Sequence, residues 1–292
     1  MRLINGLLTR SARRLGRYGL QTLKPPNRAE ILEALVEDMV SIVPVDGAKI
    51  ALYTPFPGLI FRAESLLTKE LDTIAWINGF KDDAVFWDIG ANVGVYSLYA
   101  AVTRHSLAIA FEPASANFYV LTRNIHLNAL DDRINAYCIA FSSTTSLGVI
   151  NLASEAMGAA SNQFGKAGEV SRYAGPSSPQ CTQGILGFTI DDFIEQFGPP
   201  FPNHIKMDVD GLELGILSGA STTLSDSRLQ SVLVELSLTA NEETERAATI
   251  LQQAGFELVS RGEIQGTGHH KAVNHIFKRI PSCVRTEGFP FP

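Results

Sequence analysis

Val85-Phe86-Trp87-Asp88-Ile89-Gly90-Ala91-Asn92-Val93-Gly94 is the stretch that decides how the rest of the chain is interpreted. Four apolar residues around an aspartate predict a buried strand, the two glycines predict a tight turn, and the helical pattern that follows predicts a helix N-terminus. Glycine lets a ligand approach the backbone closely, and the start of a helix offers unpaired N–H groups. This junction is therefore predicted to bind a polar or carboxylate-bearing ligand.

A second apolar run, ending at Phe111, is followed by Glu112. A carboxylate at the end of the neighbouring strand can accept hydrogen bonds from both hydroxyls of a ribose, so the ligand is predicted to be a nucleoside. A nicotinamide dinucleotide fingerprint requires glycine at the position that Asn92 occupies. Asp88 before the turn suits an ammonium group, which S-adenosylmethionine has and the nicotinamide cofactors lack. The order of aspartate, glycine turn and glutamate therefore favours S-adenosylmethionine.

The composition fits an ordinary globular protein. The 292 residues are 45% hydrophobic and 18% charged, which suffices for one large domain or for one domain with an extension. The three cysteines are widely spaced and form neither a disulfide framework nor a Cys-x-x-Cys metal motif, so the cytoplasm is the expected compartment. No apolar run approaches the ~20 residues that span a bilayer, so no transmembrane segment is expected.

Charge is distributed unevenly along the chain. Residues 1–29 contain seven basic residues and no acid, which leaves 17 basic against 30 acidic residues in the remainder. Such an acidic body argues against a nucleic-acid substrate. The basic segment is also amphipathic, and we interpret it as a helix docked on the acidic body or on a second subunit, consistent with a homodimer. The alternative is a helix that makes peripheral contact with a membrane surface or serves in targeting.

Three regions are expected. Residues 1–64 form an N-terminal extension, residues 65–280 form the main domain, and residues 281–292 form a tail. Residues 153–187 are dense in Gly, Ser and Ala and lack clear periodicity. A loop of this length inside a compact domain is usually functional, so we interpret it as a lid or substrate-shaping loop. The alternative is a solvated insertion.

The local patterns give a coarse secondary structure. In the extension they predict a helix over Ala29–Val40 and a short hairpin formed by Lys49–Thr54 and Leu59–Ala63. From Val85 onward strands and helices alternate, which predicts an α/β fold with a parallel sheet and helices on both faces. A short extra strand is expected over Leu147–Leu152.

Carboxylates cluster at the predicted carboxyl ends of the strands, where open α/β sheets bind ligands. They are Asp88, Glu112, Asp208, Asp210, Glu213 and Glu235. Asp208 and Glu235 follow strands that are expected to be neighbours, so both could face one cleft. Asp208 is predicted to be the general base or the orienting group, with Lys206 and His204 as partners and Glu235 as a further catalytic residue.

Other roles remain open for part of this set. Asp210 and Glu213 begin a helix, where an N-cap or a surface salt bridge is an equal alternative. A divalent cation held by Asp208 and Glu235 is also open, because clustered oxygens suit Mg²⁺. The pair His269-His270 has no further spaced ligands and is a weak metal signal. No metal site is assigned.

The predicted cofactor site is drawn from three junctions. The methionine portion is assigned to the turn containing Asp88, Gly90, Ala91, Asn92 and Gly94. The ribose is assigned to Glu112 and the following Pro113. The adenine is assigned to Ala140, Phe141 and Ser142, which follow the third predicted strand.

Five sequence blocks resemble those of FkbM-type methyltransferases, in the same order and over about residues 65–280. They are Val85–Gly94, Ala110–Pro113, Asn124–Asn128, Ile205–Glu213 and Val232–Glu235. The resemblance implies a class I, Rossmann-like fold with a mostly parallel seven-stranded sheet, S-adenosylmethionine as cofactor, and usually O-methylation of hydroxyls on sugars or polyketide-type natural products. The family commonly has glutamate where this chain has Asp210, so a catalytic role for Asp210 does not carry over.

The combined expectation is a cytoplasmic O-methyltransferase that acts on a small or saccharide-linked hydroxyl acceptor. The N-terminal 64 residues and the 153–187 loop lie outside the five blocks and are expected to govern the acceptor. Two alternatives remain at this stage. One is a nicotinamide-dependent oxidoreductase, and the other is a non-catalytic protein that retains the cofactor pocket.

Overall fold

A computed structural model of the chain describes Thr22 and residues 24–152, 154, 156–160, 163–165, 181–238, 241–265 and 271–281. For residues 163–165 and 241 it gives secondary structure alone. Four predictions therefore lie wholly or largely outside the described residues. They concern the basic helix before Thr22, most of the 153–187 loop, the pair His269-His270, and the tail after residue 281.

The described residues form thirteen strands and nine helices. The strands are β1 (Val40–Val45), β2 (Ala48–Tyr53), β3 (Val85–Ile89), β4 (Leu107–Phe111), β5 (Ile134–Tyr137), β6 (Ala140–Phe141), β7 (Ser146–Leu152), β8 (Gln163–Gly165), β9 (Cys181–Phe188), β10 (His204–Met207), β11 (Ser231–Ser237), β12 (Phe256–Gln265) and β13 (Ala272–Arg279). The helices are α1 (Pro25–Glu37), α2 (Pro57–Ser65), α3 (Leu71–Asn78), α4 (Val95–Arg104), α5 (Ser115–Leu127), α6 (Ile190–Phe197), α7 (Glu213–Ser218), α8 (Ser221–Ser225) and α9 (Asn241–Gln253). None of the helices in this part of the chain is long and apolar enough to cross a membrane.

Seven strands form the central sheet in the order β12-β13-β11-β10-β3-β4-β5. The five strands from β11 to β5 are parallel, and β13 runs antiparallel to both of its neighbours. The first strand of this sheet along the chain is β3, which lies near its middle. The next two strands, β4 and β5, lie on one side of β3, and the chain then crosses back to β10 on the other side. This order confirms the predicted mostly parallel, Rossmann-like sheet and places a topological switch point between β3 and β10, where such sheets bind ligands.

Both faces of the sheet are covered, as the pattern of β3 predicts. Phe86 and Trp87 are fully buried, and because successive strand residues point to opposite faces, they belong to different hydrophobic clusters. Phe86 packs with residues of α4 and α5, such as Leu98. Trp87 packs with residues of α6 to α9, such as Leu251. The apolar run therefore forms the centre of the molecule and holds the following turn in place.

The predicted N-terminal hairpin is wrong in its pairing. β1 pairs with β2, whereas Leu59–Ala63 lies within α2. Asp46 and Gly47 both have positive φ and form the two-residue Asp-Gly connection that favours a tight hairpin turn. Pro57 at the start of α2 has the fixed φ that suits a first helical turn. The helix predicted over Ala29–Val40 is present as α1, displaced by a few residues.

Two asparagine side chains of α5 fasten the hairpin to the main domain. The Asn128 side chain accepts a hydrogen bond from the Ala51 N–H at 2.8 Å and donates one to the Ala51 carbonyl at 2.7 Å. The Asn124 side chain accepts from the Tyr53 N–H at 2.8 Å and donates to the Val93 carbonyl at 2.8 Å. These side chains therefore make the hydrogen bonds to the β2 backbone that a neighbouring strand would otherwise make.

A second, four-stranded sheet has the order β6-β9-β7-β8. The short strand expected over Leu147–Leu152 is confirmed by β7. β9 overlaps the end of the predicted irregular loop, so that prediction is wrong for residues 181–187. β9 is held by antiparallel pairing with β7 along its length, a long-range contact that local periodicity does not report.

Candidate active site

A cavity of about 290 Å³ lies at the carboxyl ends of the parallel strands, next to the switch point. This volume is near the lower limit of the ~300–1,000 Å³ typical of small-molecule sites. We call one wall the β4 side, formed by Gly90, Asn92, Glu112, Ala140 and Phe141. We call the opposite wall the β11 side, formed by Lys69, Asp208, Glu235, Gln265 and Ala272.

The turn after β3 requires glycine at position 90. Gly90 has a φ of +82°, and a Cβ there would lie 1.9 Å from the carbonyl oxygen of Asp208. The N–H groups of Gly90 and Ala91 donate to the Phe111 carbonyl at 2.9 and 3.0 Å. The turn is therefore pressed against β10 and fastened to β4, and its backbone at Gly90 forms part of the cavity wall.

Glu112 is bound to the same turn. Its Oε2 accepts the Asn92 N–H at 2.8 Å, and its Oε1 accepts the Ala114 N–H at 2.9 Å. Glu112 is 4% exposed, and burial raises its pKa to about 7 although the backbone donors act in the opposite direction. The Asn92 side chain donates to the Ala159 carbonyl at 2.8 Å, while its Oδ1 is buried without a hydrogen-bond partner in the described structure. An amide oxygen in this position suits a ligand donor.

The remainder of the β4 side is apolar. Besides Ala140 and Phe141, it includes Phe111, Pro113, Ile139 and Ile150. The rings of Phe111 and Phe141 meet edge to face at 4.7 Å between centroids. Apolar walls beside a few directed polar groups are typical of sites that hold a flat heterocycle.

Five predicted site residues do not line the cavity in the described part of the chain, namely Asp88, Ala91, Gly94, Ser142 and Lys206. Asp88 is 1% exposed, and its Oδ2 accepts from Ser97 Oγ at 2.7 Å. Burial raises the pKa of Asp88. Gly94 begins α4 with a φ of +83°, and Ser142 Oγ donates to the Thr144 carbonyl at 2.6 Å. Direct contact of these residues with a cofactor stays a prediction.

The β11 side contains a buried ion pair. Lys206 Nζ donates to Asp208 Oδ2 at 2.9 Å, and the Lys206 side chain is almost fully buried while that of Asp208 is 27% exposed. Burial lowers the pKa of Lys206, but the carboxylates of Asp208, Glu70 and Asp88 outweigh burial and raise it overall. Burial raises the pKa of Asp208, but the Lys206 ammonium outweighs burial and lowers it overall. Both groups are therefore charged at neutral pH.

Glu235 lies beside this pair because β10 and β11 are neighbours, as the sequence predicted. The negative charge of Asp208, together with burial, raises the pKa of Glu235 to about 9, against the opposing effect of Lys206. Glu235 is hydrogen-bonded to Asp208. Since Glu235 is protonated at neutral pH, it is the donor in that bond, and Asp208 and Glu235 share one proton.

The turn after β10 is fixed by Glu213. Asp210 and Gly211 have φ values of +55° and +104°. Glu213 Oε1 accepts the N–H groups of Val209 and Gly211 at 3.2 and 3.1 Å. Glu213 is buried, and burial raises its pKa to about 7. Glu213 therefore fixes the turn that precedes α7, whose N-cap is Leu212 without a side-chain capping bond, whereas Asp210 lies on the cavity wall.

His204 lies at the start of β10, away from the cavity. Its ring stacks on Phe80 at 3.8 Å between centroids, and Nδ1 is 2.7 Å from Ser231 Oγ. Burial lowers its pKa to about 3, so it stays neutral. The proposed partnership of His204 with Asp208 is therefore wrong, because the two residues occupy opposite ends of β10. Within the described ranges, no group of three or more His, Cys, Asp or Glu residues is placed to hold a metal ion.

Several site residues carried no sequence signal. The cavity wall includes Arg62 and Lys69 from the N-terminal part, Asn117 from α5 and Gln265 from β12. Arg62 donates to the Gly158 carbonyl at 3.2 Å. These polar residues are common on helix and strand surfaces, and only the tertiary fold brings them to the site.

Residues 88–258 match the model of the methyltransferase FkbM domain, which is more than half of the chain. Among curated proteins, a stretch of 156 residues is 27% identical to the hexuronic acid methyltransferase AglP of Haloferax volcanii. That alignment covers 53% of this chain and 57% of AglP, so the chain matches little more than half the length of that relative.

The solved structures that are similar to this chain include the following two. The precorrin-6y C5,15-methyltransferase of Geobacter metallireducens is 12% identical, with a TM-score of 0.43 over 75% of this chain and 89% of that chain. TYW2 of Pyrococcus horikoshii, solved in complex with MeSAdo, is 14% identical, with a TM-score of 0.43 over 88% of this chain and 85% of that chain.

Proposed function

The chain belongs to the FkbM methyltransferase family, and from this premise we propose that it O-methylates a hydroxyl of a sugar or natural-product-like small molecule. The cofactor of this family is S-adenosylmethionine. One observation carries the proposal: a single cavity joins Glu112 on the β4 side to the proton-sharing pair Asp208 and Glu235 on the β11 side. A nucleoside donor and a hydroxyl acceptor would meet between them.

The residues present fit S-adenosylmethionine. Glu112 retains acceptor capacity for ribose hydroxyls, because each of its oxygens can accept more than the one backbone N–H that it holds. The orphaned Oδ1 of Asn92 suits an ammonium or hydroxyl donor, and the apolar residues around Phe141 suit adenine. When bound, this cofactor supplies a methyl group attached to a positively charged sulfur. Because the sulfur leaves as a neutral thioether, the methyl group is already activated for transfer.

The residues of the β11 side would handle the acceptor. Because the methyl donor is activated, catalysis consists mainly of placement and of removal of one proton. Asp208 is ionised at neutral pH and partly exposed to the cavity, so it would accept the proton of the acceptor hydroxyl. Glu235 keeps its own proton and would orient Asp208 by donating to it. Lys206 would fix the position of Asp208 through its hydrogen bond and its charge.

The similarity to AglP supports a sugar as acceptor, since the name of that protein specifies a hexuronic acid. A hexuronic acid offers both hydroxyl and carboxylate oxygens. Methylation of a hydroxyl gives an ether, and methylation of the carboxylate gives an ester. Asp208 is useful only in the first case, because a carboxylate acceptor at neutral pH has no proton to lose.

The first test is cofactor binding. Calorimetric titration of the full chain with S-adenosylhomocysteine, the demethylated product, is expected to show saturable binding, while NADH in the same cell is expected to show none. Absence of S-adenosylhomocysteine binding would overturn the proposed function. Binding of NADH instead would favour the oxidoreductase alternative.

The second test identifies the product. The full chain is incubated with S-adenosylmethionine labelled in its methyl group and with glucose, glucuronic acid or their glycosides. Label in a sugar that resists mild alkali indicates a methyl ether, as proposed, whereas label released by alkali indicates an ester. If S-adenosylhomocysteine binds but wild type labels none of these acceptors and Asp208→Asn leaves that result unchanged, the non-catalytic alternative gains support.

Location and assembly are separate proposals. We propose a cytoplasmic location, a sugar-type acceptor rather than nucleic acid, and docking of the basic N-terminal segment on the acidic body or on a second copy. Light scattering at several protein concentrations tests the homodimer. Salt-dependent binding to anionic liposomes that disappears on deletion of residues 1–24 would favour membrane contact instead.

A further inference from the structure

Glu70 is a buried carboxylate that reaches the site from outside the stretch matched by the family model. It directly precedes α3 and is 2% exposed. It accepts hydrogen bonds from Lys69 Nζ at 2.8 Å, Thr73 Oγ1 at 3.0 Å and Asn274 Nδ2 at 3.2 Å. Burial of a charge is costly unless it is paired, so these partners indicate a site built to hold an ionised group.

One chain of contacts leads from Glu70 to Asp208 through Tyr96. The Tyr96 hydroxyl lies within range of Glu70, whose negative charge contributes, after burial, to the raised pKa of Tyr96. The Tyr96 ring lies below Lys206, with Nζ 5.1 Å from the ring centroid. Lys206 Nζ then donates to Asp208 at 2.9 Å. The Lys206 ammonium therefore lies between the aromatic face, Asp208 and the charge of Glu70.

A second chain of contacts leads from Glu70 to Glu235 through β13. Asn274 donates to Glu70, and it lies opposite Glu235 in the antiparallel register of β11 and β13. The first chain of contacts ends at Asp208, and the second ends opposite Glu235. A change in the charge of Glu70 is therefore transmitted to that pair over a short, buried path, where interactions between charges are strong.

The charges around this cluster come from several elements. The titratable groups that face it are Lys69, Asp88, Tyr96, Lys206, Asp208, Asp210 and Glu235. Burial raises the pKa of Glu70, but the charges of Lys206 and Lys69 and the hydrogen bond from Lys69 together outweigh burial and lower it overall. The negative charge of Glu70 in turn contributes to the raised pKa of Glu235.

We infer that Glu70 is a positioning residue of the methyl-transfer site: it is the second counterion of Lys206, and it keeps the pair of Asp208 and Glu235 singly protonated. The inference rests on the proposed function for its catalytic meaning. Without Glu70, the Lys206 ammonium would act more strongly on Asp208 and Glu235, Asp208 would be a weaker base, and Glu235 would release its proton at lower pH.

The test is a carboxyl titration that needs no acceptor. Glutamate labelled with ¹³C at the carboxyl carbon is incorporated into the full chain, and the Glu235 signal is assigned by its loss in Glu235→Gln. In wild type its midpoint is expected at about 9. In Glu70→Gln the midpoint is expected to fall by about one unit, the usual size of the effect of one nearby charge.

Glu64→Gln is the matched control, because it removes the same charge from an exposed position on α2. It is expected to leave the Glu235 midpoint unchanged. Glu70→Met is a second variant that removes the charge and the hydrogen-bonding atoms together, in case the glutamine amide is not accommodated. An unchanged midpoint in a folded Glu70 variant, or an equal shift in Glu64→Gln, contradicts the inference.

Binding of S-adenosylhomocysteine separates this inference from the proposed function. If wild type does not bind it, the proposed function fails, while the titration still decides whether Glu70 controls the pair. If both Glu70 variants fail to fold, Glu70 is a structural residue and the inference is wrong. If they fold, bind S-adenosylhomocysteine as wild type does and show the shift, the positioning role is supported.

Discussion

The β4 side and the β11 side of the cavity are built in different ways. On the β4 side, Gly90, Asn92 and Glu112 come from two consecutive βα junctions and are joined by backbone N–H groups. On the β11 side, Lys69, Asp208 and Glu235 come from distant segments and are joined by charges. The first wall is a rigid backbone surface, and the second is an electrostatic cluster. Variants of the two walls should therefore affect different quantities: binding and folding for the first, and turnover for the second.

The largest expected effect is on turnover. Asp208→Asn is expected to lower kcat by about a thousandfold, within the range that a general base contributes. Asn cannot take up the proton, while the affinity for S-adenosylhomocysteine is expected to stay within about threefold, since its contacts with the β4 side are intact. Rates of methyl transfer and calorimetric affinities measure the two effects.

Asp38→Asn, at an exposed position after α1, is the control for that substitution. It should change neither quantity. If Asp208→Asn weakened cofactor binding and turnover equally, the division of binding and turnover between the β4 side and the β11 side would be wrong.

The next effect is on stability. Gly90→Ala is expected to lower the free energy of unfolding by about 3 kcal/mol, because alanine is strained at positive φ and its Cβ meets the Asp208 backbone. Urea denaturation measures this change. Gly184→Ala in β9 is the control, since a Cβ there meets nothing within 4 Å. Equal stability of the two variants would show that the turn after β3 is not rigid.

A smaller effect is expected on cofactor affinity. Glu112→Gln should raise the dissociation constant of S-adenosylhomocysteine by about tenfold, since it places an amide group against the backbone N–H donors and weakens the acceptor for ribose hydroxyls. At saturating S-adenosylmethionine, kcat should change little. Glu195→Gln, exposed on α6, serves as the control in the same titration. A loss of kcat without a loss of affinity would mean that Glu112 acts in turnover, like the residues of the β11 side, and not in cofactor binding.

The smallest effect concerns the pH dependence of stability, through Glu213. The pKa of Glu213 rises from 4.5 to about 7 in the folded protein. Between these values the folded protein holds a proton that the unfolded chain has lost, so the contribution of Glu213 to stability is complete below pH 4.5 and is lost as the pH rises through 7. Glutamine accepts the same N–H groups without titrating. Glu213→Gln should therefore be close to wild type in stability at pH 4.5 and more stable at pH 8, by less than the ~3 kcal/mol that a rise from 4.5 to about 7 represents, because glutamine is a weaker acceptor than a carboxylate.

Denaturation curves at the two pH values measure this difference. Because Glu112 also has a raised pKa and is present in both proteins, the difference between them isolates Glu213. A variant that is less stable than wild type at pH 8 would mean that folding does not raise the pKa of Glu213, and the turn after β10 would then belong to the charged wall.

The sequence predicts the two walls unequally. The strand before Gly90 and the position of Glu112 follow from local patterns, because a glycine turn after a buried run has few conformations. The meeting of Asp208 and Glu235 follows from strand adjacency. The role of Glu70 does not, because its partner Asn274 is 204 residues away and nothing local to either residue indicates the contact. The hairpin error has a different origin, since the Asp46-Gly47 signal is local and was outweighed by Pro55 and Pro57.

The hydrogen bonds between the Asn124 and Asn128 side chains and the backbone of β2 have a consequence for assembly. A two-stranded ribbon normally leaves two open edges on which a further strand can be added. At Ala51 and Tyr53 the outward-facing amide groups of β2 are already occupied by the side chains of Asn128 and Asn124. Strand pairing between copies through this ribbon would therefore have to use the edge along β1, since these two asparagine side chains block strand addition along β2.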